Sequence, residues 1–438
     1  MYASLRFPVA VVAAALAAGI LAAAVPVSSW LVLAAGVGLV AGLLVADVRL
    51  APRPDSLRLR REAPEVLRAG ADAEVALVLH NPTSRPLRVS LRDASPPSLR
   101  RDPPRHELTA RPGAWARLVS RVRPSRRGYA TVGPVTVRTA GPLGLGGKQR
   151  TVRLDARVKV YPSLPARAEV RSRLERARAL QAGERSANVR GGGTEFDSLR
   201  EYHPDDEFRR INWRATARRT KPITNLYREE RNQQVLVLLD AGRTMAGNVA
   251  GAPRFEHGID AAFAVAELAT RAGDQVGLEV FAGNVLAMVG PRGGPDQPRR
   301  ILDALFDLRP QLGAADYVGA FSALLARYRR RSLLLLVTEL TAEAVLEPLY
   351  AALPALLGRH LLVVGSVRDP EAEALAAAVP RSSEAAYLKA AATGALLDRD
   401  RAAARLLRMG VTVEDRPPGR LAGALADRYL RIKALGRL

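Results

Sequence analysis

Phe7–Val25 and Trp30–Ala46 are uncharged, apolar runs of 19 and 17 residues, separated only by Pro26-Val27-Ser28-Ser29. At about 1.5 Å per residue, helices of these lengths reach ~28 and ~25 Å, each close to the hydrocarbon thickness of a bilayer. So short a turn leaves room only for an antiparallel hairpin, with both ends on one side. Arg6 precedes the first run, and Arg49, Arg53, Arg58, Arg60 and Arg61 follow the second. Basic flanks are retained in the cytoplasm. The sequence therefore predicts a transmembrane helical hairpin over 1–50 (7–25 and 30–46) in a multi-pass cell-membrane protein, with the bulk of the chain cytoplasmic. The competing reading is a cleaved signal peptide, for which Ala22-Ala23-Ala24 offers a small-residue site. Against it, one Arg makes a thin basic region and a second apolar run follows almost at once. Gly38 and Gly42 form a GxxxG, expected to pack the two helices on each other.

Charge is concentrated just beyond this hairpin. The chain of 438 residues carries a net +23, and residues 51–150 hold 20 basic against 8 acidic side chains. Since 61 of the 66 basic residues are Arg, a compositional habit explains the excess without a partner. The functional alternative is a polybasic face held to anionic lipid, where each basic residue contributes about 1 kcal/mol. Nucleic acid is the less expected polyanion, because lipid lies nearer to a segment that follows the hairpin. The absence of Cys excludes disulfides, thiolate zinc sites, iron–sulfur clusters and cysteine nucleophiles. The five His (80, 106, 203, 257, 360) form no HExxH or HxH, so metallohydrolases of those types are excluded. Gly146-Gly147-Lys148-Gln149 fails as a phosphate-binding loop, with Pro142 at the first glycine position and Gln149 where Ser or Thr holds magnesium.

Residues 56–162 read as short alternating runs punctuated by Pro and Gly: Glu74–His80, Leu87–Asp93, Trp115–Val122, Tyr129–Val132, Val135–Thr139 and Val158–Tyr161. Such spacing predicts a β-sandwich-like module. Residues 163–234 read as a linker and motif region, with a flexible joint at Arg190-Gly191-Gly192-Gly193-Thr194. From 235 to 438 apolar strands (Val235–Leu239, Val276–Phe281, Leu333–Thr338, His360–Val367) alternate with amphipathic helices, which predicts an α/β domain with a mostly parallel sheet. The chain is thus expected to be multi-domain. The ligand site of such a sheet lies at the strands' carboxyl ends, where Asp240 and Thr338-Glu339 fall.

Asp240-Ala241-Gly242-Arg243-Thr244 resembles the DxSxS loop of von Willebrand factor A domains, in which an Asp and hydroxyls hold Mg²⁺. The resemblance implies a C-terminal von Willebrand A-like domain with a degenerate metal site at Asp240, Thr244 and Glu339. Gly242 stands for the first Ser, and Ala315 lies where the second loop's Thr is expected, so a structural, metal-free role for Asp240 is the favoured reading. Arg243 is the expected partner-binding cation at this edge.

Glu195-Phe196-Asp197-Ser198-Leu199-Arg200-Glu201-Tyr202 and the run on to Arg218 resemble the EFxxLREYxxGDDxRxIxWxxxAR signature of domain-of-unknown-function family 58. Arg126-Arg127-Gly128-Tyr129, Gly141-Pro142-Leu143-Gly144-Leu145 and Val160-Tyr161-Pro162 resemble that family's β-region landmarks. Carboxylates and guanidiniums alternate in the run, so it is read as a structural clamp built from Glu195, Phe196, Arg200, Tyr202, Asp206, Arg209, Arg210, Trp213 and Arg218, with Phe196, Tyr202 and Trp213 as apolar anchors. The alternative is a metal-dependent hydrolase using the acidic run 195–207. What the resemblance implies is a membrane-anchored, non-enzymatic adaptor that binds protein partners and works with a MoxR-type AAA+ ATPase in envelope-related assembly or maturation.

Overall fold

The computed structural model describes residues 2–4, 6–24, 29–169, 172–173, 175–176, 195–203, 206, 208–219, 221–228 and 232–435, and the side chains of all of these except 21–24, 29, 195–197, 210, 226–228 and 343–344. The expected turn at 26–28 and the glycine joint at 190–194 lie outside the described residues. The chain divides into two compact units, Met1–Ser163 and Leu164–Leu438.

The first unit opens with β1 (Tyr2–Ala3), α1 (Arg6–Ala24) and α2 (Ser29–Leu50). One helical stretch, Trp30–Ser56, is long and apolar enough to cross a membrane, and Arg6–Ile20 is a shorter apolar helix. Their outward apolar side chains are bare: Val9, Leu16, Ile20, Leu39 and Leu50 are all exposed. The two helices lie together at Gly36, where a Cβ would stand 3.7 Å from Ala14 O and 3.9 Å from Ala18 Cβ. Gly38 and Gly42 have nothing within 4 Å. The helix–helix contact is thus made by Gly36 and not by the GxxxG, because two residues further along a helix is about 200° around it.

Short strands follow: β2 (Arg58–Glu62), β3 (Val66–Arg68), β4 (Ala73–His80), β5 (Leu87–Asp93), β6 (Leu99–Asp102), β7 (Arg105–Ala110), β8 (Trp115–Pro124), β9 (Gly128–Val132), β10 (Val135–Ala140), β11 (Gly146–Val152) and β12 (Ala156–Tyr161). They make sheets ordered β1-β11-β10-β5-β7, β2-β4-β8-β6 and β3-β12-β9. Period-two patterning decides what they bury. Leu87, Val89 and Leu91 of β5 turn inward with Val135 and Val137 of β10 and meet Leu77 and Leu79 of β4. A second cluster joins Val75, Val122, Val132, Val158 and Val160. Arg61, counted above among the membrane-side charges, is buried instead: it and Arg101 grip the two oxygens of buried Asp93. Its place in β2 turns it into the module.

Helix α2 is tied to this module by its last acid. Asp47 is fully buried, and its carboxylate accepts the backbone N–H groups of Leu143 (2.7 Å), Leu145 (2.8 Å) and Gly146 (2.9 Å). The glycines of this loop are dictated by close approach. A Cβ on Gly141 would collide with the Asp47 carboxylate, and one on Gly146 would stand 2.7 Å from Leu44 Cδ1 and from Val48 Cγ2.

The second unit holds β13 (Glu195–Glu201), β14 (Ile223–Arg228), β15 (Gln234–Asp240), β16 (Asn248–Val249), β17 (Ala252–Pro253), β18 (Gln275–Phe281), β19 (Val285–Arg292), β20 (Leu333–Val337), β21 (Leu361–Val367) and β22 (Thr412–Arg416). Its helices are α3 (Trp213–Thr216), α4 (Arg254–Arg271), α5 (Gln297–Leu305), α6 (Tyr317–Arg327), α7 (Glu343–Leu357), α8 (Pro370–Ala377), α9 (Ser383–Arg408) and α10 (Leu421–Ala434). Six strands form one mixed sheet ordered β19-β18-β15-β20-β21-β22. Every pairing in it is parallel except that of edge strand β19 with β18.

Both faces of this sheet are covered, which is why its strands are continuously apolar. Val235, Val237 and Leu239 face α4, α5 and α10, whereas Leu236 and Leu238 face α6, α7 and α9. From β15 the chain passes to β18 on one side and then to β20 on the other, so the carboxyl end of β15 lies where strand order reverses. In open parallel sheets that is the crevice that takes ligands.

Candidate functional site

Asp240 ends β15 in that crevice and is wholly buried. The N–H of Gly242 donates to its Oδ1 at 2.7 Å, and the hydroxyls of Thr338 and Tyr317 reach Oδ2 at 2.6 and 3.0 Å. Those two hydroxyls are themselves 2.9 Å apart. Burial pushes the Asp240 carboxyl above its ordinary range, while Thr338, Gly242 and Tyr317 pull it back down. Burial, with Asp240 beside it, also raises the Tyr317 phenol well above its ordinary value, so Tyr317 keeps its proton and serves as a donor.

The loops around Asp240 pack closely at Gly242. A Cβ on Gly242 would lie 3.0 Å from Asp240 Oδ1 and 3.1 Å from Ala315. Among the described residues no hydrogen bond links Thr244 to Asp240 or Glu339. Arg243 is exposed and anchored by its own N–H to Gly313 O at 2.8 Å. Mg²⁺, which the A-domain resemblance implies, does not fit these donors. The two Asp240 oxygens already accept three protein donors, Gly242 brings no side-chain oxygen and Glu339 is engaged by two arginines, so too few hard oxygens converge here to complete a Mg²⁺ shell.

Glu339, expected beside Asp240 as a third metal ligand, turns to arginines instead. Its Oε1 takes Arg399 Nη1 at 2.5 Å and its Oε2 faces Arg254 Nε at 3.0 Å. The Arg399 guanidinium also donates to both oxygens of Asp415 (2.8 and 2.7 Å) and to Ser366 Oγ (2.7 Å). Arg368 joins Asp415 at 3.2 Å. Burial raises the Glu339 carboxyl, and Arg399 and Arg254 lower it again. This network closes the carboxyl edge of the sheet from β20 to β22. Sequence reading missed Arg399, Tyr317 and Ser366. One signal was available: in α9, Ala392, Arg399, Ala402 and Leu406 are the buried positions, so Arg399 is a lone charge on an apolar helical stripe.

The signature run builds a separate surface. Strands β13 and β14 pair antiparallel, with a bulge between Phe196 and Ser198. Arg200 pairs with Asp206, whose other oxygen accepts the His203 N–H at 2.9 Å. Exposed Glu201 pairs with Lys221 at 3.1 Å, so the acids of 195–207 whose side chains are described are engaged by cations. The side chains of Glu195, Phe196 and Arg210 lie outside the described residues, and Tyr202 is half-buried.

Asn212 caps α3, its side chain accepting from Ala215 N at 2.9 Å, and Thr216 Oγ1 accepts from Ile223 N at 3.0 Å. Ile211 and Ile223 fill the inside of this turn. Trp213, expected as an apolar anchor, stands outside it: it is 60% exposed, as is Phe208 at 67%, with ring centroids 5.6 Å apart. The helix itself buries no side chain, and the buried apolar positions beside it are Ile211 and Ile223. Arg209, Arg214, Arg218 and Arg219 of the same segment are exposed.

Residues 198–409 match the family described as protein of unknown function DUF58. Uncharacterized proteins of Mycobacterium tuberculosis and Mycobacterium bovis are 25% identical over 193 residues, covering 43% of this chain. The chain spans 59% of the length of these curated relatives. Among solved structures, trypsin-activated alpha-2-macroglobulin from Escherichia coli is 18% identical over 25% of this chain and 7% of its own (TM-score 0.21). The CARDB domain of the PF1109 protein from Pyrococcus furiosus is 12% identical over 24% of this chain and 91% of its own (TM-score 0.18). Likenesses this partial carry no argument about mechanism.

Proposed function

We propose that this chain is a membrane-anchored, non-enzymatic adaptor. In this reading α1 and α2 cross the membrane as a hairpin, the β-module and the α/β unit lie in the cytoplasm, and the α/β unit is a von Willebrand A-like domain that offers its carboxyl edge to protein partners. The proposed partner is a MoxR-type AAA+ ATPase, which would supply nucleotide hydrolysis for assembly or maturation in the envelope.

The observation that carries the reading is that Asp240 is buried and engaged by protein donors. The crevice where a parallel sheet would do its chemistry holds a carboxylate with three protein donors and a neighbouring acid engaged by two arginines. A catalytic acid or metal ligand has to be reached by substrate or ion, and Asp240 is wholly buried, whereas a docking edge needs only a rigid frame and exposed contacts such as Arg243. The experiment is capture of the ATPase by the full chain from solubilised membranes, with and without EDTA. Capture should survive chelation and should fall with Arg243→Glu, which sets like charges against a basic-seeking partner. Loss of capture by EDTA alone would show that the edge works through metal and would sink the proposal.

A further inference from the structure

The base of the helix pair carries a concentration of positive charge that the adaptor reading leaves unused. A Cβ on Gly144 would stand 3.2 Å from Arg6 Nη1 and 3.8 Å from Arg88 Nη1. Two guanidiniums, one from the start of α1 and one from β5, therefore converge over the bare α-carbon of one glycine. Close by, Arg138 lies over the Tyr2 ring, 4.8 Å from its centroid, on the strand that pairs with Gly146 and Gly147. Among the described residues neither Arg6 nor Arg88 makes an ion pair. Asp47, the acid beneath this loop, is committed to three backbone N–H groups, and Glu107 is paired with Arg105 at 2.8 Å. Hydrogen bonds to neutral N–H groups leave the Asp47 charge in place, but one buried carboxylate against Arg6, Arg88 and Arg138 leaves a net positive charge at this surface, which favours an anion from outside the chain.

The surroundings say from which direction that anion comes. Leu143, at the tip of the same loop, is 52% exposed, and Pro142 beside it is also exposed. Beyond Arg6 the bare apolar face of α1 begins at once with Val9. Cations at the root of an apolar surface, next to an exposed apolar loop tip, match the level of a bilayer where phosphates sit above acyl chains.

We propose that Arg6 and Arg88 hold the phosphate of an anionic phospholipid over Gly144, with Leu143 dipping into the acyl boundary. The site rests on the membrane reading given above. It would fix the height of the β-module at the bilayer surface, because the Asp47 contacts make the loop one piece with α2.

The test uses the full chain in nanodiscs containing a mixture of phosphatidylglycerol and phosphatidylcholine, re-extracted in mild detergent and analysed for retained lipid by native mass spectrometry. The wild type should retain phosphatidylglycerol preferentially, and Arg88→Gln should reduce that retention about fivefold, the effect of one basic residue at an anionic surface. Arg85→Gln, an exposed charge in the turn before β5, should leave it unchanged. Excess inorganic phosphate should not displace the lipid. Equal retention by wild type and Arg88→Gln, with both inserted, would overturn the lipid site and leave the membrane reading standing. Displacement by inorganic phosphate would overturn it in favour of a soluble anion. Failure of the wild type to enter nanodiscs would overturn the membrane reading and the site with it.

Discussion

Replacing Arg399 with Met tests whether the carboxyl edge of the sheet is a structural frame. The Arg399 side chain is 5% exposed and its partners Glu339 and Asp415 are 6% and 10% exposed. Met keeps the length of the stem and removes the guanidinium. What remains is Glu339 with Arg254 at 3.0 Å and Asp415 with Arg368 at 3.2 Å, so two buried carboxylates each lose their nearest cation and Ser366 loses a donor. Removing one partner from such a network costs about 3–5 kcal/mol, most of it the penalty for charge left buried and undercompensated. For a unit of this size that corresponds to a fall of about 6–20 °C in Tm. Thermal unfolding of the detergent-solubilised full chain, followed by circular dichroism, reads this out. Arg401→Met is the control, since Arg401 is 68% exposed and pairs with Asp398 at 3.3 Å, an exposed contact worth at most about 1 kcal/mol. An Arg399→Met chain that unfolds with the wild type would refute the frame and reopen Glu339 as a free, functional acid.

Glu279 should make stability depend on pH. Its buried carboxyl lies on β18, and burial raises it from 4.5 to about 7, with Arg327 as the opposing cation. The folded state then holds this proton more tightly than the unfolded chain, so the contribution is favourable at low pH and is lost as pH rises from about 4.5 through about 7, on the order of 3 kcal/mol across that window. Unfolding titrations at pH 5 and pH 8 should show this decline, and Glu279→Gln should flatten it; an equal slope in both chains would refute the assignment. Asp47→Ala should leave three backbone N–H groups without their acceptor, at about 1–3 kcal/mol for each that stays buried. Hydrogen exchange of Leu143, Leu145 and Gly146 in the full chain should accelerate sharply, and unchanged protection would mean that the loop does not depend on α2.

Much of the architecture is written in local periodicity. The apolar run of α2, the alternation of β5 and the continuously apolar β15, β20 and β21 each follow from residues a few positions apart, because a side chain's face is set by the 3.6- or 2.0-residue repeat of its own element. The position of Asp240 at a strand's carboxyl end was equally legible. What the run of letters left open was the partner of each polar group. Asp240 meets Tyr317 across 77 residues and Thr338 across 98, Glu339 meets Arg399 across 60, and Asp47 meets its N–H donors across 96 to 99. A carboxylate looks the same in sequence whether it holds a metal, accepts a backbone N–H or neutralises an arginine. Trp213 shows the same limit from the apolar side, since a residue expected to anchor a core stands in solvent while Ile211 and Ile223 beside it are buried. Periodicity chooses the face a residue occupies, and only the packing of distant segments decides what that face meets.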